Sequence, residues 1–309
     1  MQRIIVCIKH VPDTGVPLRL NAGATGVEPA DFVGIPNPPD LSAVELAVQI
    51  VDGFPGEVIV VSLGPAEAAA TLRQGLALGA TRGILISDPA LEGADAYATA
   101  MVLATLVSSL HPRIVLCGAR SLDGSAGLVG PALAEALGFV HIGRVTVVSV
   151  QGPESIVVER KLERGVRERV RCQLPALLTV DADVARPRNP SLPALLKALT
   201  DPIEVVDLPS LGIPAQSAGA RLSLTRVAAL SIARPRSRRV QGPPSALGAH
   251  ERIQAILAGG RAGRRGSLHE GPPNMLAQEA LEFLMRKGFL RRGNPGTQGD
   301  ARQGSQVDP

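Results

Sequence analysis

The stretch of residues 113–139 constrains this chain more than any other, because it reads as a buried strand, a glycine-rich loop and a helix. The apolar run Ile114-Val115-Leu116-Cys117 is typical of a strand that is buried on both faces. Gly118 ends the run, and Pro131 stands where the first turn of a helix tolerates a residue without an N–H. Glycines let the backbone approach an anion, and a helix N-terminus attracts negative charge. The unit predicts a phosphate-binding loop, with an ordinary strand-to-helix turn as the alternative.

The first 140 residues alternate short apolar runs with helical patterns. The strands are predicted at residues 3–8, 57–63, 83–88 and 114–117. The helices are predicted at residues 41–51, 66–78, 94–110 and 132–137. This alternation predicts a mostly parallel sheet with flanking helices on both faces. The strand ends at residues 7–9, 62–65, 88 and 117–120 are expected to line one crevice, where a nucleotide would lie.

Several polar residues lie close to these strand ends. Lys9 follows the first strand and is placed to face an anion. His10 has no nucleophile or metal ligand near it in sequence, so a plain loop histidine is favoured over a general base. Asp40 is predicted to cap the helix that follows. Asn37 and the two prolines after it predict a rigid loop suited to lining a ligand.

The pattern changes beyond Gly138. Antiparallel strands are predicted at residues 145–150, 155–162 and 168–174, with a further strand at 175–180. A proline-rich segment then leads into a short helix over residues 194–199. Leu192 lies between two prolines, which predicts either a partner-binding side chain or a residue that packs on its own domain at the helix entrance.

The charge of the chain is unevenly distributed. Residues 1–220 carry 17 Lys and Arg against 22 Asp and Glu, whereas residues 221–309 carry 15 against 6. The arginines of the second part are scattered among Gly, Pro and Ser, which favours a solvated extension over a nucleic-acid surface. Aromatic residues make up only 2% of the chain, which disfavours base stacking. Weak helices are predicted at 250–257 and 275–287, and a disordered tail at 291–309.

Three cysteines, Cys7, Cys117 and Cys172, lie far apart in the sequence. Since no C-x-x-C or C-x-x-H pairing occurs, they are expected to be buried small residues rather than ligands of zinc or an iron–sulfur cluster. The sequence contains no signal-peptide pattern and no apolar run of about 18 residues. These observations predict a cytoplasmic protein with no membrane insertion, no metal site and no catalytic side chain of its own.

Taken together, the segments resemble the electron transfer flavoprotein β-subunit family, including its Fix-type members. The resemblance covers residues 1–235 and returns for the last helix near residues 277–290. It rests on short motifs whose order and spacing are specific. They are C-I-K-H-V-P-D-T at 7–14, N-P-P-D at 37–40, S-L-G-P at 62–65, D-G at 123–124, V-G-P at 129–131, V-E-R at 158–160, L-P-A-L-L-T-V at 174–180, and R-P-R with P-S-L-P within 186–193.

The resemblance implies an adenine-nucleotide-α-hydrolase-like α/β domain over residues 1–200, with a small antiparallel extension and a partner-recognition loop at 184–199. It implies that residues 201–290 form an arm that packs on a larger α subunit. Leu192, Pro193 and Leu196 would contact electron-transfer partners. The nucleotide would be lined by Cys7, Lys9, Asn37, Asp40, Ser62, Gly118, Arg120, Asp123, Gly124, Ser125, Gly127, Val129 and Gly130.

The implied activity is that of an electron carrier subunit rather than a stand-alone enzyme. FAD would be shared with the α subunit, and this chain would hold AMP or a second FAD. Electrons would pass between a dehydrogenase or NADH and a quinone- or ferredoxin-linked acceptor. The flavin would supply the chemistry and the protein its orientation.

The glycine-rich loop departs from the pattern D-G-D-T-A-Q-V-G-P of bifurcating family members. Residues 123–124 and 129–131 match, whereas residues 125–128 do not, so a threonine hydroxyl and a glutamine amide are missing. Each lost hydrogen bond to a charged group costs about 1.5–3 kcal/mol. A nucleotide-free structural subunit and an ATP-binding protein of the same fold therefore stay open as alternatives. The S-G-G-x-D-S and Walker A sequences of ATP-binding proteins are absent.

Overall fold

A computed structural model describes residues 2–17, 19–23, 25–28, 31–152, 154–231, 247–257, 269–286 and 289. The chain divides into two compact units, residues 1–233 and 234–309. The tail predicted at 291–309 lies outside the described residues. None of the described helices is both long and apolar enough to cross a membrane.

The strands of the described residues all belong to the first unit. In chain order they are β1 (Gln2–Cys7), β2 (His10–Pro12), β3 (Gly34–Pro36), β4 (Gly56–Leu63), β5 (Arg82–Ile86), β6 (Ile114–Gly118), β7 (Val140–Val150), β8 (Ser155–Lys161), β9 (Arg167–Gln173), β10 (Ala176–Val180) and β11 (Ile203–Val206). Nine of them form one sheet in the order β11-β5-β4-β1-β6-β10-β7-β8-β9, and β2 pairs with β3. The strands from β11 to β7 run parallel, and β8 and β9 extend the sheet antiparallel. The predicted α/β class, with its parallel sheet and small antiparallel extension, is confirmed.

Helices cover both faces of this sheet. In the first unit they are α1 (Pro38–Gly53), α2 (Ala69–Ala77), α3 (Ala96–Ser109), α4 (Val129–Leu137) and α5 (Leu192–Thr200). Alternate residues of each central strand face opposite ways, because side chains of a strand alternate with a period of two. Ile4 and Val6 of β1 therefore join a core cluster with α1 and α2, while Ile5 and Cys7 join another with α3 and α4.

Local predictions differ from the structure in two places. Residues His10–Pro12, expected to be loop, pair with Gly34–Pro36 as a two-stranded ribbon. Strand β7 begins at Val140 rather than at residue 145, because its first half pairs with β10 in the parallel sheet. Strand β11 adds to the sheet beside β5. The domain boundary at residue 200 stays a prediction.

The described part of the second unit consists of α6 (Ala249–Leu257) and α7 (Pro273–Arg286). Four large apolar side chains of α7 are exposed, namely Met275, Leu281, Phe283 and Leu284, whereas Leu276 and Met285 are partly buried. Their spacing gives the helix an apolar face.

Candidate nucleotide-binding site

A cavity of about 670 Å³ opens at the carboxyl ends of β1, β4 and β6. Its walls include those strand ends, the first turn of α1, the loop between β6 and α4, the N-terminal part of α3 and residues 225–227. This position is where parallel α/β sheets bind ligands. The predicted crevice therefore exists at three of the four expected strand ends, whereas the strand end at residue 88 does not line it.

Asn37 and Asp40 connect three segments that are distant in sequence. The Asn37 side chain accepts a hydrogen bond from Leu122 N (3.0 Å) and donates to Arg120 O and to Asp40 Oδ1 (both 3.0 Å). Asp40 accepts from Lys9 N (2.7 Å) and from Gly118 N (3.0 Å). These contacts hold the glycine-rich loop and the end of β1 against the start of α1.

The prediction that Asp40 caps α1 is wrong. The helix begins at Pro38, the N-cap is Asn37, and Asp40 is a buried residue of the first turn. Two prolines after Asn37 have no N–H to be capped, so α1 begins earlier than the apolar pattern indicates. The Asp40 carboxylate is thereby free to bond the two neighbouring strand ends.

Two glycines allow close packing at the site. A Cβ on Gly118 would lie 2.1 Å from Asp40 Oδ1, and a Cβ on Gly130 would lie 2.3 Å from Thr179 Cγ2. Gly118 therefore lets α1 reach the end of β6, and Gly130 lets α4 reach β10. Helix α4 begins at Val129, three residues before the predicted start, which brings its N-terminus into the cavity wall.

Lys9 extends from the end of β1 to the glycine-rich loop. Its Nζ lies 2.6 Å from Asp123 Oδ2. Burial is the largest influence on the pKa of Asp123 and would raise it, but the hydrogen bonds from Lys9, Ser121 and Gly124 N and the Lys9 charge together outweigh burial and lower that pKa. In the same loop, Ser125 and Gly127 have φ of 49° and 64°, a left-handed conformation that turns backbone N–H groups in unusual directions. The loop thus presents a cation and an irregular backbone.

Burial dominates the electrostatics at the floor of the cavity. It raises the pKa of Asp40 to about 7, although the N–H groups that bond the carboxylate act in the opposite direction. Cys7 and Cys117 stand side by side on β1 and β6. The Cys7 thiol and burial together raise the pKa of Cys117 well above its usual value, so this thiol stays protonated. The three cysteines are buried and free of disulfides, as expected.

Most residues expected to line the nucleotide lie in the cavity wall: Cys7, Lys9, Asn37, Asp40, Gly118, Arg120, Gly124, Gly127, Val129 and Gly130. Three others do not line it. Asp123 contacts the lining residue Lys9 through a hydrogen bond. The Ser125 hydroxyl donates to Ser121 O within the loop. Ser62 is buried in β4, and its hydroxyl has no hydrogen-bond partner among the described residues.

The His10 side chain packs against neighbouring residues of its own domain. Its ring covers Gly34, where a Cβ would lie 1.8 Å from Nε2, and its Nδ1 lies 2.8 Å from Thr71 Oγ1. Burial lowers its pKa. The histidine lies in strand β2 rather than in a loop, and it joins the ribbon to α2.

One wall of the cavity is not predicted by any motif in the sequence. Thr225, Arg226 and Val227 line it, and so does Asp95, the N-cap of α3. An aspartate before a helical run predicts a cap, but no local pattern indicates that its second oxygen holds a segment 130 residues later (Leu224 and Thr225). The described residues contain no group of three His, Cys, Asp or Glu side chains arranged to hold a metal ion.

Helix α5, at the predicted recognition segment, exposes four leucines: Leu192, Leu195, Leu196 and Leu199, with exposed fractions from 42% to 67%. Leu192 is 67% exposed, which disfavours the alternative that it packs on its own domain. The helix is nevertheless anchored, because Arg73 Nη1 bonds Ala198 O (2.6 Å) and Leu199 O (2.8 Å) at its C-terminus. Ser191 caps its N-terminus through Ala194 N.

Helix α1 also holds the segment that leads to α5. Its Ser42 hydroxyl donates to Ala182 O (2.9 Å), and its buried Glu45 forms two hydrogen bonds with the Arg188 guanidinium (2.9 and 3.0 Å). Burial is the largest influence on the pKa of Glu45 and would raise it, but the hydrogen bonds from Arg188 and Gln49 and the Arg188 charge together outweigh burial and lower that pKa. One helix therefore positions the cavity with its first turn and the leucine-bearing segment with its second.

Comparison with known proteins agrees with this architecture. The sequence model of the electron transfer flavoprotein domain matches residues 28–211. The chain is 34% identical to an electron transfer flavoprotein subunit beta of Thermoanaerobacterium thermosaccharolyticum, over 74% of this chain and 87% of that protein. It is also 34% identical to the caffeyl-CoA reductase-Etf complex subunit CarD of Acetobacterium woodii (73% and 86%), and 32% identical to protein FixA of Azotobacter vinelandii (77% and 86%). With the parallel sheet and the loop at 118–130 in place, the matches over most of its length show that this chain belongs to the electron transfer flavoprotein β-subunit family, which includes the Fix-type proteins.

Proposed function

We propose that this electron transfer flavoprotein subunit pairs with an α subunit and binds an adenine nucleotide, AMP or a second FAD, in the cavity at the ends of β1, β4 and β6. The heterodimer would pass electrons through FAD between a dehydrogenase or NADH and a quinone- or ferredoxin-linked acceptor. The observation that carries the proposal is the network of Asn37 and Asp40, which joins the glycine-rich loop to the strand ends around a ligand-sized space.

The cavity suits such a ligand in size and in chemistry. Its volume of about 670 Å³ lies within the range of small-molecule and cofactor sites, about 300–1,000 Å³. The apolar residues Val61, Leu63 and Leu103 offer surface to a base, and Lys9 and Arg120 offer positive charge to phosphate. The N-terminus of α4 adds unpaired N–H groups and a favourable dipole end.

Under this proposal each wall has a distinct task. The loop at residues 118–130 and Lys9 bind phosphate, the first turn of α1 orients the loop, and the apolar strand ends exclude water from the base. A bound flavin supplies the electron-carrying chemistry, whereas a bound AMP is a structural ligand. The leucines of α5 provide an apolar surface, rimmed by Lys197, for an electron-transfer partner.

The decisive experiment is to co-express this chain with its α subunit, purify the complex, denature it and quantify the released FAD and AMP by chromatography. Two FAD per heterodimer would support an NADH-oxidising, bifurcating role. One FAD with one AMP would support a simple carrier. One FAD without AMP would contradict nucleotide binding in this cavity and favour the nucleotide-free structural subunit.

A matched pair of variants ties the ligand to this cavity. Lys9→Gln removes a positive charge from the cavity wall, and we expect it to lower nucleotide content. Lys161→Gln removes the same charge from the exposed end of β8, outside the cavity, and should leave the content unchanged. Equal nucleotide content in both variants would place the ligand elsewhere.

A further inference from the structure

Residues 223–227 form a wall of the nucleotide cavity that no motif in the sequence predicts. Thr225, Arg226 and Val227 all line the cavity. They are distant in sequence from the glycine-rich loop, which lines the same cavity. The segment is otherwise exposed, and the large apolar residues Leu224 and Val227 in it are 73% and 57% exposed. It therefore gains little from burial and depends on polar contacts for its position.

Asp95 provides those contacts. Its Oδ2 accepts hydrogen bonds from Leu224 N (2.9 Å), Thr225 N (2.8 Å) and Thr225 Oγ1 (2.9 Å), while its Oδ1 accepts from Ala98 N (2.9 Å) and caps α3. Its own N–H donates to Ser223 Oγ (2.8 Å). One carboxylate thus fixes both the start of α3 and the segment that carries Arg226.

Packing just before the segment supports this placement. A Cβ on Gly219 would lie 1.9 Å from Ala90 O, so the backbone there lies directly against the turn before α3. Ala220 N donates to Glu92 O (3.2 Å), and Ser223 Oγ donates to Gly219 O (3.0 Å). The chain is therefore held from residue 219 to residue 225 immediately before it enters the cavity wall.

Some of the charged side chains that line the cavity have hydrogen-bond or ion-pair partners, and others do not. The two lining carboxylates, Asp40 and Asp95, each accept several hydrogen bonds from N–H groups. Lys9 is paired with Asp123. Arg120 and Arg226 have no carboxylate within 4 Å in the part of the chain that the structure describes. The cavity wall therefore contains two arginines whose charge has no ion-pair partner among the described residues.

We propose that Arg226 binds a phosphate of the adenine nucleotide, and that Asp95 is the positioning residue that holds Arg226 at the cavity. This inference rests on the proposed function. It concerns a residue outside the glycine-rich loop and the motifs that carry the family resemblance.

Arg226 would also supply phosphate-binding donors that the glycine-rich loop of this sequence lacks. The glycine-rich loop lacks the threonine and glutamine side chains at residues 125–128 that the bifurcating pattern would contribute to phosphate binding. A guanidinium presents several N–H donors in a planar fork that suits phosphate, and charge-assisted hydrogen bonds are stronger than neutral ones. Under this proposal, Arg226 supplies donors that the loop lacks, from a segment distant in sequence.

The test uses the purified heterodimer after removal of bound nucleotide, with AMP and adenosine as probes in isothermal titration calorimetry. Arg226→Ala should weaken AMP binding about ten- to a hundredfold. Adenosine has no phosphate, so its affinity should not change. Arg226→Lys should recover part of the AMP affinity. Arg221→Ala is the matched control, because Arg221 is an exposed arginine just before this segment and does not line the cavity.

The role of Asp95 is separated from general stability by a double-mutant cycle. In Asp95→Asn, the amide can accept hydrogen bonds on one side only. Its N–H₂ must therefore face either Ala98 N or the donors of Leu224 and Thr225, so AMP binding should weaken. If Asp95 acts through Arg226, Asp95→Asn should cost little further affinity in the Arg226→Ala background. Additive losses would reject the positioning role.

The outcomes distinguish the inference from the proposed function. If the unmodified complex binds neither AMP, FAD nor adenosine, the proposed function fails and the inference fails with it. If the unmodified complex binds AMP and Arg226→Ala binds it equally well, only the inference is overturned. Equal weakening of AMP and adenosine would also overturn it, because the effect would then be on cavity shape. If the complex binds FAD in preference to AMP, FAD replaces AMP as the charged probe.

Discussion

At the scale of single residues, the site depends on side chains that bond backbone groups of other segments. Asp40 and Asp95 accept hydrogen bonds from backbone N–H groups far away in sequence. Asn37 bonds both a distant N–H and a distant C=O. Such contacts remove the desolvation cost of burying polar groups and fix loop geometry at the same time. The residues nearest the proposed ligand are therefore also structural.

Asp40 gives a prediction that combines stability with pH. In Asp40→Asn, one amide N–H₂ must face either Lys9 N or Gly118 N, both of which are donors. We expect a loss of about 1–3 kcal/mol in the free energy of unfolding, measured by chemical denaturation. Thr146→Val, which removes a buried hydroxyl on β7 outside the site, is the comparison for a general effect of polar burial.

The effect of Asp40→Asn should also depend on pH, because the pKa of Asp40 is raised in the unmodified chain. Folding raises the pKa of Asp40 from its ordinary 3.8 to about 7, so the folded state binds the proton more tightly than the unfolded state. This contribution to stability is complete below about pH 4 and is lost as the pH rises to about 7. The stability difference between the unmodified chain and Asp40→Asn should shrink over that range. A difference that grows with pH would contradict the raised pKa.

At the scale of elements, α1 is the part that connects the two proposed binding regions. Its first turn holds the loop at residues 118–122, and its second turn holds Ala182 and Arg188, which precede α5. Because a helix is stiff over a few turns, the cavity and the leucine surface share one support.

Arg188→Ala should destabilise this arrangement, because it leaves the buried Glu45 carboxylate without its guanidinium. We expect a loss of about 2–3 kcal/mol in the free energy of unfolding. Arg186→Ala is the matched control, since Arg186 is exposed and has no ion pair among the described residues. Similar stability of the two variants would show that the Glu45–Arg188 pair contributes nothing beyond the loss of any arginine.

The exposed leucines of α5 make a separate prediction about partners. Leu192→Ala should slow electron delivery to the partner, measured by reduction kinetics, without changing the flavin content of the complex. Val205→Ala removes an equally exposed apolar side chain from β11 and should have no effect on the rate. Unchanged kinetics in Leu192→Ala would remove this residue from the interface.

At the scale of the whole molecule, the described hydrophobic cores lie entirely in the first unit. The buried apolar residues run from Ile4 to Ala218, and α7 buries none of its side chains. The free energy of folding of the described residues therefore comes mainly from residues 1–233.

A chain that ends at Ala233 should keep its cooperative unfolding transition, with a free energy of unfolding within about 1 kcal/mol of the full chain. If residues 234–309 contribute to the arm that the family resemblance implies, the shortened chain should also be recovered with less α subunit on co-purification. Loss of the cooperative transition would show instead that residues 234–309 are needed for the first unit to fold.

The sequence by itself determined the α/β class, the central parallel strands, the glycine-rich loop and the family. These features follow from local signals, since buried parallel strands are short apolar runs and phosphate loops need glycine within a few positions. Only the tertiary structure decided that Asp40 bonds strand ends instead of capping its helix, that Ser62 does not line the cavity, and that Asp95 bonds Leu224 and Thr225 beside the cavity wall. Those contacts join residues that are close in space but distant along the chain, and no local period or propensity records which distant backbone group a side chain will meet.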